Sequence, residues 1–373
     1  MLKKFVVKCP PEVILRPIAK RTTLSGAGTT TVFSKSPVMS SNFTQRRHFK
    51  AAMCTEIDKP LSIGTKESQM ELSSGEVRVE VAAAGINFGD ILMTKGTYQV
   101  KLPTPFTPGN EMAGTILEVA DDVVDFKPGM RVVGLVNSFG AFAEEVVTQA
   151  ESLWMIPDEM EFTDAAGFIV SYGTAMLGLK HRANIQPGEH LLVTAAAGGA
   201  GLAAVDIGSH VLEARVIGAA GTEEKCSLVK SYGAVDCINY TTENVRDRTK
   251  EISPKGANVV FDTVGGKIFK DALRSIAWEG RLLVIGFASG DIPSIPANHL
   301  LVKNVSAVGF YWGAYSMTDL TKFRWSVDEC LRQYRLGKLK PHICKKFDLS
   351  MINQAMDFVK SRKSTGKVVL VIR

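Results

Sequence analysis

The stretch His190-Leu-Leu-Val-Thr-Ala-Ala-Ala-Gly-Gly-Ala-Gly-Leu-Ala-Ala204 decides how this chain is read. An apolar run ends in a glycine-rich turn, and a helix of small residues follows. Such a turn presents backbone N–H groups and a helix N-terminus to a pyrophosphate. In the G-x-G-x-x-G/A frame the three positions are Ala196, Gly198 and Gly201, so the first glycine is replaced by alanine. The bare motif is therefore imperfect, and its context carries the reading: strand before, helix after, and a second strand at the expected distance. Ala197, Gly198, Gly199, Ala200 and Gly201 are expected to cradle the phosphates. An ordinary tight turn is the competing reading.

Outward from this turn, apolar runs alternate with helical stretches. Strands are expected at 190–194, 215–219, 235–238, 258–261, 281–285 and 305–310. Helices are expected at 200–213, 222–232, 242–252 and 267–278. Alternation at this spacing predicts an α/β fold with a doubly wound parallel sheet, the Rossmann arrangement. Upstream, Glu76-Val-Arg-Val-Glu-Val81 alternates polar and apolar, and turn signals crowd after it, so short strands are expected there. A helix capped by Thr163 is expected to run toward Lys180. Two amphipathic helices, near 319–336 and 350–361, and a strand at 367–372 close the chain.

The second strand selects the dinucleotide. An NAD site places Asp or Glu about 20 residues beyond the glycines, to accept from the ribose hydroxyl. Here that strand ends Gly218-Ala-Ala-Gly-Thr222, with Ala220 at the acid's position. A carboxylate there would repel a 2′-phosphate and its absence admits one, so NADPH is the expected cofactor. Gly221 and Thr222 line the site, Lys225 supplies balancing charge, and Tyr240 edges the same pocket. Lys225 also reads as a solvated helix lysine.

The chain has 373 residues, 45% hydrophobic and 22% charged, which is globular composition. Its longest apolar stretch, Leu191–Val205, is 15 residues with three glycines, too short for a membrane span. The net charge of +6 is unevenly placed: residues 1–55 hold ten Lys/Arg and one acid, leaving the remainder at −3. A faintly acidic body gives no footprint for nucleic acid. The basic, Ser/Thr-rich segment 1–55 has transit-peptide composition, with removal expected near Arg46–Met53 and a mitochondrial location; a cytoplasmic extension is the alternative. Six cysteines without a Cys-x-x-Cys pair argue against a disulfide framework and against a four-cysteine zinc lobe.

With these residues in hand, the chain resembles the medium-chain dehydrogenase/reductase superfamily, and within it the zinc-free quinone oxidoreductases related to zeta-crystallin. The resemblance spans roughly residues 57–373. It rests on Ala84-Gly-Ile-Asn-Phe-Gly-Asp90, Phe106-Thr-Pro-Gly-Asn-Glu-Met-Ala-Gly114, Lys127-Pro-Gly-Met-Arg-Val132, the turn at 195–201, Phe261-Asp-Thr-Val-Gly-Gly266, Trp278-Glu-Gly-Arg281, Val308-Gly-Phe-Tyr-Trp-Gly313 and Arg362-Lys-Ser-Thr-Gly-Lys367. It implies a GroES-like β-barrel catalytic domain with a Rossmann domain inserted and the active site between them. The expected division is a leader at 1–55, catalytic domain 56–174, NADPH-binding domain 175–310 and catalytic domain 311–373. A homodimer is the family's habit.

Zinc alcohol dehydrogenases of this superfamily ligate their metal through a Cys in the first motif and a His-Glu pair in the second. Here Asn87 and Asn110 replace the Cys and the His, and only Glu111 remains. Carboxamides are poor zinc ligands, so no metal is expected, and Glu111 reads as an ion-pair partner. Without a Lewis acid, the expected acceptors are already electrophilic: quinones and α,β-unsaturated carbonyls. The resemblance implies roles for Tyr98 (oxyanion partner or proton donor), Asn87 (amide donor to substrate or nicotinamide) and Asp90 (orienting neighbours). It places Thr174, Gly286, Phe287, Phe310, Tyr311 and Trp312 along the nicotinamide groove. Each also has a plain structural reading, as turn cap, barrel packing or core. Three alternatives stand beside this one: a mitochondrial 2-enoyl thioester reductase on the same fold, a non-catalytic NADPH- or RNA-binding protein, and a short-chain dehydrogenase suggested by Tyr334-x-x-x-Lys338. The last fits poorly, because that family begins with its glycine motif.

Overall fold

The structure, a computed structural model, describes residues 47–136 and 138–373. Its strands in chain order are β1 (His48–Met53), β2 (Ser62–Glu67), β3 (Glu76–Ile86), β4 (Glu111–Val119), β5 (Arg131–Leu135), β6 (Glu145–Gln149) and β7 (Leu153–Met155). Then follow β8 (His190–Thr194), β9 (Arg215–Ala220), β10 (Asp236–Asn239), β11 (Ala257–Asp262), β12 (Ile276–Val284) and β13 (Ser306–Gly309). Last come β14 (Ile343–Asp348) and β15 (Lys367–Val371).

The second group forms one six-stranded sheet in the order β10-β9-β8-β11-β12-β13, every neighbour parallel. That order reverses between β8 and β11, the crevice where doubly wound sheets bind dinucleotides. Buried strands such as Leu191–Thr194 and Val259–Asp262 read as continuous apolar runs because helices cover both faces. Strands β3 to β7 of the first group join both strands of the last in a seven-stranded sheet, β14-β15-β3-β4-β5-β7, with β6 on β3, while β1 and β2 pair as a separate two-stranded sheet. Long β3 sits at its centre. β6 pairs with residues 76–80 of β3, and β15 with 83–86. The α/β architecture expected from the sequence is thus present, with the second sheet inserted between β7 and β14.

Three expectations are corrected. The expected leader over 1–55 lies outside the described residues up to Arg46, but its last part is strand. β1 pairs with β2, Ala52 N–H donates to the Phe142 carbonyl at 2.8 Å, and Ala51 and Ala52 are fully buried. A cut as late as Met53 would therefore remove part of the barrel. Thr163 does not cap a long helix: Phe162–Ala166 is one short helix after Glu161, and Gly167-Phe168 separates it from Ile169–Met176. A wider π-type turn, Leu177–Arg182, continues from there. The division expected after Thr174 falls inside this run, so the chain passes between the sheets through helix. The expected helix 267–278 stops at Arg274, and Ile276 already begins β12.

One core cluster joins barrel residues Ala83, Ala113 and Trp154 to Leu191, Val193 and Phe261 of the parallel sheet, so the two units share packing. The helix Leu320–Arg335 packs on Ile169–Met176 and completes this layer. The five cysteines among the described residues are free thiols.

Candidate active site

Three segments meet at the C-terminal end of β3. Asn87 follows that strand, Glu111 opens β4 and Lys367 opens β15. The ladders place Gly85 opposite Glu111 and Ile86 opposite Val368. Glu111 is fully buried, and its carboxylate accepts from the Lys367 ammonium, from Asn87 Nδ2 at 3.0 Å and from the Val170 N–H at 3.1 Å. Lys367 also donates to Asn87 Oδ1 at 2.8 Å. Gly85 makes this approach possible, because a β-carbon there would collide with the Glu111 carboxylate and the Ala166 carbonyl. Removing one partner of such a buried pair destabilises by roughly 3–5 kcal/mol, since the other charge is left uncompensated.

Asn87 was expected to donate its amide to a ligand. Both of its N–H groups are instead committed inside the protein, to Glu111 and, at 3.3 Å, to Asn110 Oδ1. Asp90 does orient its neighbours: it sits at the third position of the helix Phe88–Thr94 and accepts the Asn87 backbone N–H at 2.8 Å. Burial pushes its carboxyl up to about 7, against the pull of that hydrogen bond and of the Lys367 charge. Tyr98 packs its ring over Gly89 and hydrogen-bonds with Tyr311. Burial first, then Tyr311 and Asp90, raises its ionisation well above the ordinary tyrosine value, so the phenol stays protonated.

In the expected run Phe310-Tyr-Trp312, Tyr311 alone is open, at 46% exposure against 7% for Phe310 and 5% for Trp312. Trp312 packs on Gly173, stands 4.7 Å from the Phe323 ring and donates its indole N–H to Ser326 at 3.0 Å. Phe310 lies against Tyr315. Both side chains belong to the core, which is the plain structural reading of these two aromatics. Thr174 is half-buried beside Gly173 on the helix Ile169–Met176.

The glycine turn forms at the C-terminal end of β8. Ala195 adopts a positive φ of 45°, and Gly198 N–H returns to the Ala195 carbonyl at 2.8 Å. Gly198 stands just before the helix Gly199–His210, whose first-turn N–H groups have no intrahelical partner. A β-carbon at Gly201 would collide with the Ala195 carbonyl, so only glycine closes this turn. Ala197 is buried, and its carbonyl accepts the Gly366 N–H at 2.7 Å, tying the end of the chain to the cradle. Beneath it, Thr194 donates to buried Asp262 at 2.6 Å. Gly286 and Phe287 follow β12, with Phe287 alongside Gly265.

At the end of β9 the expected residues converge. Tyr240 packs over Gly221, and Thr222 caps the helix Glu223–Ser231 by accepting the Lys225 N–H at 3.3 Å. Lys225 Nζ donates to the Arg362 carbonyl at 2.7 Å. The Arg362 guanidinium lies near enough to Tyr240 to oppose the upward push of burial on its phenol. Arg362 was missed as a site residue, as was Lys367, although both stand in the last motif quoted above. Donors aimed out of a tight turn, with two cations and a phenol at the strand end, fit a dinucleotide carrying a 2′-phosphate. The other position does not fit zinc: Asn87 and Asn110 offer carboxamides, and the one carboxylate, Glu111, already holds the Lys367 ammonium together with Asn87.

Comparisons with known proteins agree with this geometry. The description "Alcohol dehydrogenase GroES-like domain" matches residues 73–158 and "Zinc-binding dehydrogenase" matches 199–326. A quinone oxidoreductase-like protein 2 homolog of Nematostella vectensis is 47% identical over 365 residues, 97% of this chain and 98% of that one. Quinone oxidoreductase-like protein 2 of Mus musculus is 47% identical over 330 residues, 88% and 94% of the two chains. The structure of Escherichia coli quinone oxidoreductase complexed with NADPH superposes with a TM-score of 0.79 at 26% identity, covering 87% of this chain and 99% of that one.

Proposed function

The chain belongs to the medium-chain dehydrogenase/reductase superfamily, and on that premise we propose that it is an NADPH-dependent, zinc-independent reductase of quinones or α,β-unsaturated carbonyls. The observation that carries this reading is the Lys367 ammonium, seated on Glu111 and Asn87 where the superfamily's zinc enzymes place their metal. NADPH supplies the hydride, and one proton from solvent completes the reduction. The protein's own part is binding, orientation and charge stabilisation. The turn 195–201 and the Gly199–His210 helix N-terminus hold the pyrophosphate. Lys225, Arg362 and Tyr240 take the 2′-phosphate. Tyr98 and Tyr311, hydrogen-bonded to each other, leave one phenol proton for an acceptor, with Asp90 beneath them fixing the Asn87 turn.

The basic leader supports import into mitochondria; sequencing the N-terminus of the protein recovered from cells tests it, and an intact Met1 refutes it. A homodimer is supported by edge strand β13 and by the exposed Trp278, Leu301 and Val302 on that side of the sheet. Sedimentation of Leu301→Glu beside wild type tests it. The central experiment is a stopped-flow screen of NADPH oxidation against benzoquinones, 9,10-phenanthrenequinone, alkenals and crotonyl-CoA. Turnover of quinones or enones is expected. Turnover confined to crotonyl-CoA would make this a thioester reductase, and failure to bind NADPH would overturn the reading.

A further inference from the structure

We propose that Asn110 is a catalytic residue, whose side-chain NH2 hydrogen-bonds the carbonyl oxygen of the acceptor and stabilises the negative charge that develops there. The inference rests on the proposed function and goes beyond it, naming the electrophile that stands where a metal would otherwise act.

The argument is one of hydrogen-bond polarity. An ammonium can only donate and a carboxylate can only accept. Lys367 Nζ, at 2.8 Å from Asn87, therefore identifies that atom as Oδ1, and Glu111 Oε1, at 3.0 Å, identifies the other as Nδ2. The ion pair thus fixes which way the Asn87 carboxamide faces. Its second N–H points to Asn110 at 3.3 Å, so Asn110 must present its oxygen there and carry its NH2 on the opposite side. That NH2 has no partner among the described residues, and Asn110 is half-buried, not enclosed. Its backbone is held as well, its carbonyl accepting the Val136 N–H at 2.9 Å. The relay runs from a buried charge pair, 0% and 6% exposed, through Asn87 to two free donors on a neutral group.

Two neutral donors without a counter-charge suit a neutral carbonyl that gains charge in the transition state. For an enone, hydride and its electron pair join the β-carbon. The carbon–carbon π pair shifts toward the carbonyl and the oxygen becomes an enolate oxyanion. Asn110 donates hydrogen bonds to that oxygen and transfers no proton. A solvent proton then reaches the α-carbon, leaving saturated ketone and NADP+.

The test compares wild type with Asn110→Ala. The first readout is the infrared carbonyl band of a 13C-labelled enone bound to the NADP+ complex, where no turnover occurs. Loss of the donor is expected to move that band to higher frequency. The second is turnover with NADPH, expected to fall about 100-fold with an enone, the lower end of the range for a single oxyanion donor. A high-potential benzoquinone needs less polarisation and should lose clearly less, whereas a structural fault would reduce both alike. NADPH affinity should be unchanged. An unmoved band, or equal losses on both acceptors, overturns the role of Asn110 while leaving the proposed function standing. A wild-type protein that binds NADPH but reduces no quinone or enone refutes both.

Discussion

Removing the cations at the end of β9 should abolish the preference for NADPH without touching NADH. Lys225 is half-buried and Arg362 exposed, so neither interacts with a 2′-phosphate in a dry environment. Two unit charges about 4 Å apart attract by about 4 kcal/mol at an effective dielectric of 20. Solvent screening and side-chain ordering at a rim position bring this to about 1–2 kcal/mol per cation, or roughly 5- to 30-fold in Kd. Lys225→Ala removes one charge and also frees the Arg362 carbonyl it holds at 2.7 Å, at a residue whose φ is 59°. The two substitutions should therefore couple, the double variant losing less than the product of the single losses. Tryptophan-fluorescence titrations with NADPH and NADH at pH 7.5 read this directly. NADPH should weaken 5- to 30-fold in Lys225→Ala and in Arg362→Ala, with NADH within about twofold of wild type, by the same conversion. Added salt should weaken NADPH more steeply than NADH in wild type and flatten in the double variant. An NADPH/NADH ratio that is the same in all four proteins would refute the phosphate site, leaving the missing acid at Ala220 as the sole basis for the preference.

Tyr98→Phe and Tyr311→Phe each remove one phenol of the hydrogen-bonded pair, and turnover should fall while NADPH affinity holds; wild-type rates in both would assign the pair to packing. Asp90 gives a signed pH dependence. Its folded value of about 7 exceeds the ordinary 3.8, so its stabilising contribution is complete below about pH 4 and is lost as pH rises to 7. That is at most about 4 kcal/mol, and urea unfolding between pH 5 and 8 should slope more steeply in wild type than in Asp90→Asn; parallel slopes would contradict the burial argument. A chain beginning at Cys54 loses β1 and should melt well below one beginning at Arg47, or fail to remain soluble; equal melting would assign β1 no part in stability. Chelation followed by metal analysis should leave turnover unchanged and find no stoichiometric zinc.

The parallel sheet was legible because each of its strands is a short buried run followed by a helix, and that alternation admits few topologies. The helix at 163–180 was misread because the residues around its break are buried without interruption: Ala165, Ala166, Phe168 and Ile169 are all inaccessible, so no periodicity marks the break at Gly167. The end of the 266–274 helix was missed for the same reason, Ile276 and Ala277 being apolar in either structure. The heart of the site was hidden differently. Glu111 and Lys367 lie 256 residues apart, a spacing that carries no signal. They meet because both flanking ladders of β3 are registered at its last residues, Gly85 on Glu111 and Ile86 on Val368. Side chains alternate along a strand, so a slip of one residue in β15 would turn Lys367 to the other face and bury Val368 against the Glu111 carboxylate. Strand register and active-site charge are thus one constraint. The buried pair can persist only in the native register, and that register delivers the ammonium to Asn87 and, through it, sets which way Asn110 faces.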